Sequence, residues 1–102
     1  MGFSLLNKQG LSKCLIDTDL DPERFSMHVS EIAPGKSSHA FHSHDGIEAI
    51  YVFHGQGIVE VEEQKHHIGS NEAIVMDATK THGLTNTATE PLCYMVIKTN
   101  EK

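Results

Sequence analysis

The stretch that decides the fold is residues 39–57, HAFHSHDGIEAIYVFHGQG. It carries histidines at positions 39, 42 and 44, a glutamate at position 48, and then an apolar run, 49–53. Successive side chains of a strand point to opposite faces, so His42 and His44 would share a face if this segment is extended. The stretch is therefore either a metal site on a β-sheet or a polar strand end that is rich in histidine.

The composition describes one ordinary globular domain over residues 1–102, with a net charge of -6 and eight histidines as the unusual feature. The negative charge argues against nucleic acid as a partner, because phosphate binding needs a concentrated positive patch. The eight Lys and Arg residues are scattered, and no long apolar run is present, so we expect no membrane association and no signal peptide. Cys14 and Cys93 are far apart in sequence and predict reduced thiols in a cytoplasmic protein.

Short β-like segments dominate the chain, and no segment shows the sustained spacing of apolar residues that is typical of a long helix. Gly, Pro, Asn and Asp cluster between these segments as turn residues. Many short strands in a small chain predict an all-β sandwich or barrel. The predicted strands are 12–16, 24–32, 47–53, 57–63, 65–68, 73–76, 82–87 and 92–98.

Two of these strands contain runs that are apolar on both faces, AIYVF at 49–53 and LCYMVI at 92–97. A strand with two apolar faces needs the core on one side and a second cover on the other. We therefore expect a homodimer in which a second copy of the chain covers the outer face.

The position of Glu48 makes the metal hypothesis depend on strand register. If 45–47 form the loop of a hairpin, His44 pairs with Glu48 and His42 pairs with Ile50, so the ligand side chains share a face. A two-residue loop at 45–46 would place Glu48 on the opposite face. The hypothesis thus predicts the longer loop.

His82 lies in a second polar block, residues 77–86, and nothing local shows that it approaches the first block. Three imidazoles and one carboxylate would suit a single divalent transition metal, Fe, Mn, Ni, Cu, Co or Zn, with positions left open for a small molecule. Spacing alone leaves the metal site and the polar-strand interpretation both open.

The two blocks resemble the two motifs of the cupin superfamily. The first, at about 35–55, has the form of a glycine, then H-x-H-x3-E-x6-G, and the second, at about 71–86, ends in a histidine and an asparagine. The residues that carry the resemblance are Gly35, His42, His44, Glu48, Gly55, His82 and Asn86. The resemblance implies a single-domain jelly-roll barrel, also called a double-stranded β-helix. It also implies that the metal ligands are His42, His44, Glu48 and His82.

The chain departs from the cupin pattern only at turn residues. Asn71 stands where the second motif has a glycine, and asparagine tolerates the left-handed backbone that glycine would supply. Asp77 and Thr79 stand for a proline and a second glycine, which changes the turn that places His82. Gly35 lies one residue further from His42 than is usual, which implies only a longer loop.

The resemblance implies a metal-dependent enzyme that acts on a small oxygen-rich molecule, with Glu48 as a metal ligand or proton acceptor. Oxygen-dependent oxidation of the dioxygenase type is the first expectation, and isomerisation or lysis of a sugar-like or keto-acid substrate is the second. The alternative is a non-catalytic module that binds metal or a small ligand, such as a sensor. The generic aliphatic side chains of Ile50, Val52 and Leu84 predict an apolar pocket without a charged anchor.

The sequence gives weaker evidence of a function for the other histidines. His28 lies in an early strand and could line the barrel interior. The histidines expected to be bystanders on loops or edges are His39, His54, His66 and His67.

Overall fold

The computed structural model describes residues 2–38 and 43–99, which contain nine β-strands, one short 3-10 helix at Pro22–Arg24 and no α-helix. The strands are β1 Phe3–Leu6, β2 Cys14–Asp17, β3 Phe25–Ile32, β4 Ile47–His54, β5 Gln56–Val61, β6 Gln64–Gly69, β7 Ala73–Asp77, β8 His82–Thr85 and β9 Leu92–Thr99. The predicted all-β class is confirmed.

The strands form a jelly-roll barrel from two facing sheets. One sheet has the order β3-β9-β4-β7, and the other has the order β6-β5-β8. All pairings within the two sheets are antiparallel, and β9, the last strand, lies between β3 and β4. Early and late parts of the chain therefore meet side by side, which brings together residues that are distant in sequence.

The core fills the space between the two sheets, because every second side chain of each strand points towards the facing sheet. On β4, Glu48, Ile50 and Val52 are buried, whereas Ile47 and Phe53 each leave 47% of their surface exposed. Val59 and Leu84 face them from the other sheet and are also fully or almost fully buried. Glu48 thus points inward with the core residues although it carries a carboxylate.

The predicted pairing of His44 with Glu48 across a hairpin is wrong, and the predicted pairing of His42 with Ile50 lies outside the described residues. Strand β4 pairs with β9 on one side and with β7 on the other, so neither edge is left for the segment that precedes it. The backbone of His44 instead donates to the carbonyl oxygen of Ala78 at 2.8 Å, and Ala78 N donates to Gly46 O at 2.9 Å. The segment around His44 therefore runs beside the end of β7. At Gly46 the backbone has φ of 97°, and a side chain there would collide with the Thr99 carbonyl.

Strand β1 was missed, because its four residues, FSLL, show no alternation of polar and apolar positions. It pairs with β2 in a separate two-stranded sheet at the N-terminal end. Two predicted strands were too long. Strand β5 ends before Glu62, whose left-handed backbone (φ 54°) turns the chain into β6, and β8 ends before Asn86.

Candidate metal centre and adjoining cavity

Three of the four predicted ligands come together at one end of the barrel. Glu48 is the second residue of β4, His82 is the first residue of β8 in the facing sheet, and His44 lies on the loop before β4. Glu48 Oε1 lies 2.8 Å from His44 Nε2 and 3.0 Å from His82 Nε2. Glu48 and His82 are buried, with 5% and 1% of their surfaces exposed, and His44 is half-buried. The fourth predicted ligand, His42, lies outside the described residues, as does His39.

The hydrogen bonds of the two imidazoles define which ring nitrogens face the carboxylate. His82 Nδ1 lies 2.7 Å from the carbonyl oxygen of Lys80, and His44 Nδ1 lies 3.1 Å from that of Asp45. Because a carbonyl oxygen only accepts, we assign the proton of each ring to Nδ1. Nε2 of each ring then faces Glu48, which is the arrangement that ligand histidines have around a metal.

The donor set at this point fits a cation. Two Nε2 lone pairs and a carboxylate oxygen are all acceptors, and they lie within 4.8 Å of one another. Acceptors this close repel one another unless a proton or a cation lies among them. Imidazole nitrogen and carboxylate oxygen bind borderline transition metals at about 2.0–2.2 Å. The residues present therefore fit a divalent transition metal.

In the turn before His82, Asp77 and Thr79 take the places of the proline and the second glycine of the second motif. Asp77 Oδ1 accepts hydrogen bonds from Thr79 N at 3.0 Å and from Thr79 Oγ1 at 2.7 Å. These bonds hold the pKa of Asp77 below its usual value. Lys80 N also donates to Asp77 O at 3.1 Å. The two departing residues thus form one Asx turn, which orients the Lys80 carbonyl that holds His82.

A cavity of about 160 Å³ adjoins Glu48 and His82 inside the barrel. Its wall includes Glu48 and His82 together with the aliphatic side chains of Ile50, Leu84 and Val96. Ile50 and Leu84 line the cavity as predicted, whereas Val52 is fully buried in the core. A wider vestibule of about 570 Å³ lies on the outer side, and His44 lines it. The three side chains thus lie between the vestibule and an enclosed pocket.

The expected absence of a charged anchor in the pocket is wrong. Lys98 lines both the cavity and the vestibule, and the polar groups of His28, Ser38 and Tyr94 line the cavity as well. The sequence offered a signal for Lys98, since it lies four positions after Tyr94 and two after Val96 on one strand, and alternation places all three on one face.

Burial raises the pKa of Tyr94, and the negative charge of Glu48 raises it further, although a hydrogen bond with Ser30 acts in the opposite direction. The phenol therefore stays protonated well above neutral pH. Tyr94 thus presents a protonated hydroxyl group inside the barrel, where it is hydrogen-bonded with Ser30.

Comparison with known proteins agrees with this architecture. A family model described as the cupin domain matches residues 28–98, which is more than two thirds of the chain. The chain belongs to the cupin superfamily. Among curated proteins, none matches the chain significantly.

Solved structures of other cupins share the fold. The cupin domain of an XRE-family transcriptional regulator from Enterobacter cloacae has a TM-score of 0.70 and 17% identity, over 78% of this chain and 84% of that chain. A cupin superfamily protein from Desulfitobacterium hafniense has a TM-score of 0.71 and 15% identity, over 80% and 72% of the two chains. A protein designated a candidate sugar phosphate isomerase from Acidithiobacillus ferrooxidans has a TM-score of 0.67 and 29% identity, over 76% of this cupin. This cupin spans about half, 51%, of that protein.

Two further residues of the second cupin motif have structural roles. Asn86 is fully buried, and its amide nitrogen donates to the carbonyl oxygens of Ile32 at 2.9 Å and Glu90 at 2.7 Å. Its amide oxygen accepts from Ala88 N at 2.9 Å. Asn71 has a left-handed backbone with φ of 62°, as predicted for an asparagine in a glycine position. Asn71 also accepts a hydrogen bond from the Tyr51 hydroxyl at 2.6 Å.

Three other histidines and both cysteines of this cupin do not line the cavity beside the centre. His54, His66 and His67 are exposed, and His54 lies 3.4 Å from a Glu90 carboxylate oxygen that is equally exposed. Such exposed ion pairs contribute little to stability. Both cysteines are free thiols, as predicted, and they are half-buried.

Proposed function

We propose that this cupin is a metal-dependent enzyme that acts on a small oxygen-rich molecule. In this proposal His42, His44, Glu48 and His82 hold one divalent transition metal, Fe, Mn, Ni, Cu, Co or Zn. The supporting observation is that two Nε2 atoms converge on one buried carboxylate oxygen beside an enclosed cavity. A metal bound there would supply Lewis-acid polarisation of substrate oxygens, or redox chemistry with dioxygen.

The residues around the cavity support a catalytic role. Ile50, Leu84 and Val96 form an aliphatic wall that excludes water from one side of a bound molecule. Glu48 Oε1 faces the interior and serves as a ligand or as an acceptor for a substrate proton. The protonated Tyr94 hydroxyl is positioned on the same wall to donate a hydrogen bond to a substrate oxygen.

Two reaction types follow from the proposal. Oxygen-dependent oxidation of the dioxygenase type is the first, and isomerisation or lysis of a sugar-like or keto-acid substrate is the second. The similarity to a candidate sugar phosphate isomerase at 29% identity favours the second type. Dioxygen uptake separates the two, because only oxidation consumes dioxygen.

The test begins with metal analysis of untagged protein. The protein loaded with the metal so identified is then incubated with small diketones, thiols and sugar acids, and dioxygen uptake and products are measured. We expect turnover of one of these classes and its loss in the His44→Ala variant, with the exposed His67→Ala variant as the matched control. Protein that holds no metal, and whose metal affinity is unchanged by His82→Ala, would contradict the proposal.

A non-catalytic binding or sensor module is the second candidate function. It is the second candidate because this fold is shared with the solved cupin domain of a transcriptional regulator, and the match covers 84% of that solved domain. A small molecule that binds the metal-loaded protein without turnover in any metal form would support the module over the enzyme.

We further propose that the protein forms a homodimer through the outer face of the four-stranded sheet. On this face Tyr51 lies opposite Met95 and Ala73, and Phe53 and Val75 leave 47% and 69% of their surfaces exposed. Large apolar side chains grouped on one sheet face are typical of a protein interface. A second copy of the chain would cover this face by two-fold symmetry.

We also propose that the protein acts in the cytoplasm, without nucleic acid or membrane as a partner. The two free thiols support a reducing compartment, and the net charge of -6 opposes binding to phosphates. Among residues 2–38 and 43–99, no helix has the length and apolarity needed for a membrane span. Cell fractionation with a tagged chain tests the location.

A further inference from the structure

Lys98 occupies a defined place in the barrel, in the same cross-strand row as Glu48. On β9, Lys98 lies opposite Ser26 of β3 on one side and Glu48 of β4 on the other. Directly opposite residues of neighbouring antiparallel strands project to the same face, with their Cβ atoms about 4.5–5.5 Å apart. The side chain of Lys98 therefore enters the barrel at the end where Glu48 meets His44 and His82.

The ammonium group of Lys98 is positioned for a ligand rather than engaged in a salt bridge. Within the described part of the chain, no carboxylate oxygen lies within 4.0 Å of its nitrogen, although Glu48 is its direct cross-strand neighbour. Lys98 is half-buried and lines both the cavity and the vestibule. Among the described residues that line the cavity, it is the only lysine or arginine.

The charge balance of a loaded centre favours an anionic ligand. A divalent ion and the Lys98 ammonium together carry three positive charges, and Glu48 supplies a single negative charge in the cavity wall. Buried charge is costly unless it is paired. A ligand that brings a negative charge to Lys98 would reduce this excess, whereas a neutral ligand would not.

The cavity also limits the size of the ligand. A cavity of about 150 Å³ is large enough for benzene, which has six non-hydrogen atoms, and the cavity here measures about 160 Å³. A carboxylate with three or four carbon atoms and one further oxygen has this size. His28, Ser38 and Tyr94 line the cavity with groups that can bind such an oxygen.

We propose that Lys98 is the anion anchor of this cupin and that its substrate is a small 2-hydroxy or 2-oxo carboxylate. The carboxylate is bound by Lys98, and the neighbouring oxygen faces the centre formed by His44, Glu48 and His82. This inference rests on the proposed metal-dependent function and adds the substrate class and the residue that selects it.

The experiment compares lactate with lactamide, its neutral isostere, on cobalt-loaded protein. The visible absorption of Co²⁺ reports binding at the centre without any turnover. We expect lactate to bind at least about tenfold more tightly than lactamide, as a charge-assisted hydrogen bond requires. Lys98→Met should remove this preference by weakening lactate alone, and Lys98→Arg should retain most of it.

The matched control is Lys65→Met. Lys65 is exposed on β6, away from the cavity, and its replacement by methionine removes the same charge from the protein. Cobalt affinity and thermal unfolding of each variant show whether the centre and the fold are intact. An equal affinity of wild-type protein for lactate and lactamide, or an unchanged preference in a folded Lys98→Met variant, would overturn the anchor. Inorganic phosphate that displaces lactate at equal concentration would overturn the carboxylate assignment.

The two proposals fail in different ways. If wild-type protein does not bind cobalt, the metal-dependent function fails, and the anchor fails with it. If cobalt binds and His82→Ala weakens it, but lactate shows no preference over lactamide, only the anchor is wrong.

Discussion

Glu48 and His82 are separated by 34 positions in the sequence, yet Glu48 Oε1 lies 3.0 Å from His82 Nε2 across the two sheets of the barrel. Both side chains are buried, so neither can exchange this contact for one with bulk water. A buried carboxylate beside a histidine nitrogen needs a shared proton or a bound cation between the two atoms. The pair is therefore the least replaceable part of the candidate centre.

Replacing His82 by alanine should lower the affinity for a divalent transition metal by at least about 100-fold. Changes of groups that only support a metal ligand already cost about 10–100-fold, and the Nε2 of His82 faces the centre directly. Titration of Co²⁺ followed by visible absorption measures the effect. His67→Ala, on the exposed face of β6, should leave the affinity unchanged. An equal affinity in both variants would remove His82 from the ligand set.

Replacing Asp77 by alanine should lower metal affinity about tenfold by loosening the turn that positions His82, since changes to groups that hold a ligand side chain in place cost about this much. The change should also lower stability at neutral pH. Because the pKa of Asp77 is held below its ordinary value of 3.8 in the folded protein, its stabilising contribution is present above this value. The contribution is lost as the pH falls through the folded pKa. Urea unfolding at pH 7, 5 and 3 checks the trend, and a constant difference between variant and wild type would contradict it.

Replacing Asn86 by alanine should destabilise the fold by about 3 kcal/mol, because two carbonyl oxygens and one amide would lose a buried partner. Asn86→Asp should not rescue the fold, since a carboxylate cannot donate to the carbonyls of Ile32 and Glu90. Urea unfolding measures both changes. Asn7→Ala, at an exposed position before the barrel, is the control and should have little effect.

Replacing Tyr94 by phenylalanine should flatten the alkaline limb of the stability curve. The folded pKa of Tyr94 is raised, so its contribution is fully present below its ordinary value of 10.0 and is lost as the pH rises through the folded value. Wild-type protein should therefore lose stability more steeply than Tyr94→Phe above pH 10. Urea midpoints from pH 8 to pH 11 test this, with Tyr51→Phe as the control. Parallel curves for wild type and Tyr94→Phe would show that another group is responsible.

Placing a charge on the outer sheet face should separate the proposed dimer. Val75→Glu introduces a carboxylate at a residue that leaves 69% of its surface exposed, so the folded chain tolerates it while a second copy would have to bury it. The mass measured by sedimentation equilibrium should fall from that of two chains to that of one. Lys65→Glu, on β6 of the other sheet, should leave the mass unchanged. A wild-type protein that sediments as a monomer would contradict the dimer.

Much of the fold could be predicted because strands and turns have signals in the sequence that extend over only a few positions. The β-forming residues in 47–53 and 92–98 and the turn residues between segments predict most strands to within a few positions, and Asn71 adopts the left-handed backbone expected of it. Strand β1 has only four residues, FSLL, without alternation, so nothing in its sequence predicted a strand or its pairing with β2. The end of β5 before Glu62 was also not predicted, because glutamate rarely adopts the left-handed backbone that Glu62 has here.

The residues alone predicted the all-β class, from short β-like segments and the turns between them, and the likeness of two histidine-containing blocks to the cupin motifs predicted that His44, Glu48 and His82 share one site. The class follows from side-chain chemistry and from the two-residue period of a strand, which act over a few positions. Only the tertiary structure decided which strands flank β4, and this excluded the hairpin expected around His44. It also decided that His82 meets Glu48 and that Lys98 enters the pocket. Such contacts depend on which distant strands bury each other's faces, and that choice is made by the packing of the whole barrel.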